Sequence, residues 1–508
     1  MSSDRRHIHI GENMKKNLNN FLNFSIIGLM IITPILDMRF WFNRITTLIQ
    51  VMLIGIILLV KLITNQESRK NFWKLLIFYL LSIIYLIINY FRSKNFNSYF
   101  VGNFNYSIYK ETLTIIKLLM PLTLLFILKY SDISKKAYTN IIKYWTIYFS
   151  LIIIVTDIFK IGYGSYSDQL IKYNMFDWIN KPYYFDTACK GFFNYANQVA
   201  CILVLLLITN VYNFFKNKTK NITYVILLSL AMITLGTRIS TLGGLLVLIC
   251  ICLLTEVYKK INKITLNKKR YLIIIPILLW ILLIPISPYS NRNIELNKDK
   301  EIKNYENSNT NDEESLKNDK SSTKIKTDNE EIQFYTKEDL LRQKFDKEVN
   351  NDVLPERFYK EIYSYYNDPY FWNDFIDKNN INDINYRLIE ISIIKRIKTI
   401  NDNPLDDWFG ISNSRIQNVV NVERDFQLQF YAYGIIGCLI LLLTYPILLI
   451  KSIRRFFNNK SLESILQLVV VTIFILMSFL SGNILNFLTC TIPMIFIFNY
   501  YNLNEKEL

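Results

Sequence analysis

Two arginines stand where a cation needs a reason. Arg238 lies in LGTRISTLGG, between two apolar runs separated by only a very short turn. A cation at the centre of a membrane helix costs about 2.5–3.5 kcal/mol on insertion scales. One kept at the edge of an apolar run therefore has two readings. It snorkels to the water boundary, or it holds an anion, because the planar guanidinium fork matches phosphate oxygens in pairs. Gly236, Gly243 and Gly244 beside it permit close helix approach. Arg387, in YRLIEISIIKRI, sits on an amphipathic stretch and reads as solvated surface or as a functional cation. The following NPLDDWFG carries Asp406 and Asp407, which can cap the next element or bind a cation. Two adjacent carboxylates alone specify no metal.

Two further groups have polar side chains at the edge of apolar runs. In GFFNYANQVA, Asn194 and Asn197 are three apart and are expected to share a helix face. They would act as polar glue between helices or as contacts to a glycan. In VERDFQLQFYAYGIIG, Glu423, Arg424 and Asp425 precede an apolar run. Charges there mark a membrane boundary, or they supply a general base whose pKa partial burial raises toward working pH.

The elements that must position these groups are membrane helices. Of the 508 residues, 51% are hydrophobic, with 34 Phe and 34 Tyr. The apolar residues come in runs long enough for the roughly 20 residues that cross a bilayer. Twelve spans are expected, at about 21–36, 45–64, 72–91, 112–129, 142–160, 193–214, 221–236, 239–257, 271–287, 428–450, 463–481 and 484–500. The fold class is therefore all-α. A net charge of +16 would suggest nucleic acid in a soluble chain. Here the cations flank the apolar runs, so they report topology, and nucleic acid is excluded as a partner. None of the six cysteines forms a CxxC pair, and the only histidines are His7 and His9, so no metal site is expected. No cleavable leader is expected either, because the first apolar run follows a long polar segment without a small-residue cleavage site.

Cation-rich connections alternate with cation-poor ones, which places both termini in the cytoplasm. Residues 1–287 then hold nine helices and residues 428–508 hold three. Between them, residues 288–427 form a large extracytoplasmic connection. Its first part, 288–333, is rich in Asn, Lys, Glu, Asp and Ser and reads as a disordered spacer. Its second part, 334–427, regains aromatics and reads as ordered. The aromatics of Tyr363–Trp372 either stack on sugar rings or form a small core for this part.

Taken in order, these segments resemble the O-antigen ligase and polymerase superfamily of bacterial membrane glycosyltransferases. GFFNYANQVA is similar to its G-x-F-x-x-x-N segment, and LGTRISTLGG to its [ST]-R-x-x-x-x-G segment between two spans. YRLIEISIIKRIKTINDNPLDDWFGIS resembles the stretch that ends its large outer loop, and VERDFQLQFYAYGIIG the element leading into the next span. The resemblance implies that Arg238 and Arg387 hold the diphosphate of a polyprenyl-linked glycan. Glu423 stands where many ligases have a histidine, which favours the polymerase-like branch. The implied partners are a polyprenyl-diphosphate-linked glycan, an acceptor glycan and the lipid bilayer, with no metal, cofactor or nucleotide sugar. Glu423, or Asp425 in its place, would deprotonate the acceptor hydroxyl. A flippase for lipid-linked glycan or a non-catalytic scaffold are the competing classes. A flippase would more often show internal repeats, and a scaffold does not explain arginines on one membrane face.

Overall fold

The computed structural model describes residues 2–41, 44–92, 96, 104–216, 219–262, 267–298, 336–348, 354–379, 384, 386–419 and 424–503. Among these it is helical, with three isolated β-bridges and no strand. The membrane-type helices run in chain order as α1 (Ser2–Leu36), α2 (Arg44–Thr64), α3 (Gln66–Arg92), α4 (Ile108–Lys129) and α5 (Lys135–Ile158). Next come α6 (Ala196–Phe215), α7 (Asn221–Leu235), α8 (Ile239–Asn262) and α9 (Arg270–Lys298). The long connection contributes α10 (Lys337–Glu348), α11 (Pro369–Lys378), α12 (Tyr386–Asn401) and α13 (Asn413–Val419). The chain closes with α14 (Asp425–Leu441), α15 (Thr444–Asn458), α16 (Leu462–Leu480) and α17 (Leu488–Leu503).

Among the described residues, nine helices are long and apolar enough to cross a membrane, or ten if the pair α14–α15 is one bent span. The pair bends by 43°. Helices α7 and α17 are shorter, at 15 and 16 residues. Helix α6 is the axis of the bundle. It is mostly apolar and buried on nearly every side, and α5, α7, α8, α16 and α17 pack against it. Polar side chains tie it to these neighbours, as expected where no hydrophobic effect drives helix association. The Asn210 amide donates to Thr146 Oγ1 (2.8 Å), the Tyr500 hydroxyl to Asn213 Oδ1 (2.7 Å) and the Tyr212 hydroxyl to Glu463 Oε1 (2.6 Å).

Two expectations change. The run expected as one span over 428–450 is broken. Gly434 adopts φ 63°, ψ −170° inside α14, so the carbonyls one turn earlier lose their helical partners. Residues 288–298, expected within the spacer, are helical, following an extended Ser287. There Asn291 and Arg292 pack on the connection after α5: the Asn291 amide donates to Pro182 O (3.3 Å). Residues 299–335 lie outside the described residues.

The ordered part of the connection has its own core. Phe345, Tyr363, Tyr365, Trp372 and Phe375 are buried against one another, so among the two readings of this aromatic cluster the packing is that of a small core. Arg396 of α12 binds Asp368, which caps α11, through Nε (2.6 Å) and Nη2 (3.1 Å).

Candidate active site

The turn bearing Arg238 is fixed from both sides. Helix α7 ends at Gly236, whose φ of +66° is the left-handed C-terminal stop that glycine adopts without strain. The last carbonyls of a helix have no partner within it. Here the connection between α5 and α6 supplies three. The Cys189 N–H donates to Thr234 O (3.0 Å), Ser165 Oγ to Leu235 O (2.7 Å) and the Tyr166 hydroxyl to Gly236 O (2.9 Å). On the other side, Thr237 and Ser240 cap α8 reciprocally, each backbone N–H donating to the other's hydroxyl at 3.1 Å. The backbone around Arg238 is thus held, while its side chain is exposed.

The same connection carries a charge cluster. Arg39 Nη1 lies 2.6 Å from Asp168 Oδ1, and the buried Lys190 lies 3.5 Å from the same oxygen. The hydrogen bond from Arg39 holds the Asp168 carboxyl below the usual carboxylate range, so it stays ionised as pH falls. Asn194 and Asn197 follow this cluster, both half-buried. They do not share a helix face. Helix α6 starts at Ala196, with Tyr195 in extended conformation ahead of it, so Asn194 belongs to the turn and only Asn197 to the helix.

Segment 403–419 is docked into the bundle. Its Asp406 pairs with Arg92 at the end of α3 (2.6 Å) and accepts from Asn401 (2.6 Å). The residue expected as a cap or cation ligand is therefore engaged in a tertiary ion pair, and Asp407 pairs with Lys398. The Ile411 and Ser412 N–H groups then donate to Tyr431 O (2.9 Å) and Ala432 O (3.0 Å), carbonyls released by the break at Gly434. Glu111 at the start of α4 accepts the N–H groups of Asn413 (3.2 Å) and Ser414 (2.8 Å). Arg415 donates to Phe104 O (2.8 Å). Irregular backbone needs other protein groups to satisfy it, and the bonds from Ile411 and Ser412, to Glu111 and to Phe104 O do so.

Of the three charges before α14, Glu423 lies outside the described residues. Arg424 is exposed at the N-cap position. Asp425 is buried, and its carboxylate accepts the N–H groups of Asn483 (2.8 Å), Ile484 (2.8 Å) and Leu485 (2.9 Å). This geometry uses Asp425 to anchor the α16–α17 turn. Asp425→Asn would aim an amide donor at backbone donors, leaving buried groups unpaired at about 1–3 kcal/mol each. The expected result is a lower melting temperature and lower abundance in membranes. A variant with normal stability and lost activity would return Asp425 to the chemistry.

The family model for O-antigen ligase like membrane protein matches residues 16–507, nearly the whole chain. The chain belongs to that family. No curated protein and no solved structure matches it.

For an O-antigen ligase like membrane protein, the arrangement brings some expected residues together and separates others. Arg238, the α5–α6 connection, the docked segment and Asp425 all lie at one end of the bundle, linked by the bonds above and by the Tyr195–Phe487 ring contact (5.3 Å). Arg387 stands in the first turn of α12, whereas Asn401 at the other end of that helix is the part that meets Asp406. At 1.5 Å per residue the two are about 20 Å apart. Sequence reasoning missed Arg39, Arg92, Glu111, Asp168, Lys190 and Arg292. Their only signal is that they are charges adjoining apolar runs, which also describes ordinary boundary residues. No cluster of three His, Cys, Asp or Glu able to hold a metal occurs among the described residues.

Proposed function

We propose that the protein is a glycosyltransferase that joins glycan units carried on a polyprenyl diphosphate, as a polymerase or ligase, at the outer face of the cytoplasmic membrane. Membership of the family points to a membrane glycan ligase or polymerase acting on a lipid-linked glycan and an acceptor. The observation that carries the finer reading is Arg238: an exposed guanidinium on a backbone bonded from both sides, in the turn between α7 and α8. Such a group needs little reorganisation when charge develops on a departing diphosphate. Arg387, on the ordered part of the outer connection, adds a second positive charge. Glu423 takes the proton of the acceptor hydroxyl as that oxygen attacks the anomeric carbon, with Asn194, Asn197 and Arg424 contacting the glycan. With α7 and α17 crossing and the α14–α15 pair as one span, twelve spans would put both termini on the same side, which the cation bias makes the cytoplasm.

Reconstitution in liposomes with a lipid-linked repeat unit tests this. Polymer should form without nucleotide sugar, polyprenyl diphosphate should be released, and Glu423→Gln should slow transfer about 10²–10⁴-fold. Movement of the intact lipid-linked unit between leaflets, with no new glycosidic bond, would replace the transferase by a flippase. Orientation is checked separately. A cysteine placed at the exposed Tyr366 should react with a membrane-impermeant maleimide in intact cells. Labelling only after permeabilisation would invert the topology.

A further inference from the structure

The end of the bundle opposite Arg238 carries a cleft that the transfer reaction does not use. Helix α8 packs on α6 and α9 on α7, and a cleft of about 300 Å³ opens between α8 and α9 near the connection that joins them. That connection is tied to the far end of α6, where the Asn267 N–H donates to Phe215 O (3.0 Å). The walls of the cleft are apolar, with Phe215 from α6, Cys252 from α8 and Ile274 from α9. Its mouth is charged, with Glu256, Lys268 and Arg270. Arg270 Nε lies 2.7 Å from Glu256 Oε1, which holds the guanidinium across the mouth from the facing helix. Residues 256–270 hold six cations against that one acid. Lys260, Lys268 and Lys269 are exposed and pair with no carboxylate among the described residues. Cations gather at any membrane boundary, but that alone calls for no cleft. A free anion would call for no apolar walls. A cationic mouth over an apolar slot, edged by Tyr271 (63% exposed) and Ile274 (53% exposed), fits a molecule that has both parts.

We propose that the α8–α9 cleft binds an anionic diacyl phospholipid, with its headgroup phosphate at Lys268 and Arg270 and an acyl chain along Cys252 and Ile274. Basic pockets between membrane helices hold acidic headgroups in this manner. Glu256 is a positioning residue, since it orients Arg270 and repels the phosphate from its own side of the mouth. The lipid fills space that α8 and α9 leave open between them, so its role is to brace these two helices. The proposal is independent of the transferase reading, because the cleft and the Arg238 turn lie at opposite ends of α8.

The test mixes the detergent-purified full chain with phosphatidylglycerol or with phosphatidylcholine of the same acyl chains, and reads retained lipid by native mass spectrometry and stability by melting. Wild type should hold phosphatidylglycerol about 25-fold better, the worth of two cations beside an acidic headgroup, and should melt higher with it. Arg270→Gln and Lys268→Gln should each weaken retention about fivefold. Arg454→Gln removes the same charge from an exposed position on α15, at the same end of the bundle but outside the cleft, and should leave retention unchanged. Cys252→Trp fills the slot without altering charge and should abolish retention. Ile274→Trp fills it from the facing wall and gives the same reading should the first variant not fold. Equal losses from Arg270→Gln and Arg454→Gln would reduce the effect to general surface charge and overturn the proposal. Wild-type retention in a folded slot-filling variant would overturn it as well. So would full displacement of the lipid by millimolar inorganic phosphate, which would show a bare anion site.

Discussion

Arg238→Ala should leave the lipid-linked single repeat unit as the end product, with transfer slowed about 10²–10³-fold, the usual cost of removing one preorganised donor from a site of developing charge. The expectation follows from where the side chain sits. The backbone at Arg238 is held by the Tyr166 and Ser165 bonds to α7 and by the Thr237–Ser240 cap of α8, none of which involves the guanidinium. The variant should therefore insert at normal abundance and melt like wild type. Arg238→Lys keeps the charge but loses the fork, so an intermediate defect is expected. Polymer length on a gel reads the outcome. Wild-type chain length from Arg238→Ala would remove this arginine from the chemistry and leave the fold unaffected.

The largest structural effect is expected at the crossing of Gly410 and Gly434. A Cβ on Gly410, where φ is +74°, would stand 2.2 Å from Ala432 O, and one on Gly434, where φ is +63°, would stand 2.4 Å from the Trp408 carbonyl carbon. Both obstacles are backbone, so no side-chain rotation relieves them. Either alanine should destabilise the protein by about 2–5 kcal/mol, combining a strained φ with overpacking. The two changes should not add, because each separates the same pair of segments. Melting of the detergent-purified single and double variants measures this. A double variant that loses the sum of the singles would show that the two glycines act independently.

The apolar helices were legible because run length alone identifies them, and α2, α6 and α16 start and end close to the expected residues, whereas α3 and α5 start about two turns earlier because polar residues lead into their apolar runs. The turn that carries Arg238 was legible because two apolar runs leave room for only one turn between them. Asn194 was misplaced because its spacing to Asn197 is helical in number, but Tyr195 is extended and the helix begins after it. The role of Asp425 was hidden because its partners, Asn483–Leu485, lie far along the chain. Arg292 was hidden by composition. A polar stretch that cannot bury a core of its own can still dock on one already formed, and window averages do not register the docking.

The pairing of Ile411 and Ser412 with the carbonyls of Tyr431 and Ala432 also bears on how the protein is made. Carbonyls released inside a membrane helix have no water to bond, and each costs several kcal/mol in hydrocarbon. Helix α14 can therefore take up its broken form only once the segment before it lies alongside. The partners are about twenty residues apart in sequence, so the docking segment is synthesised just before the helix it holds open. A chain in which that segment is kept from docking should close α14 into a continuous helix.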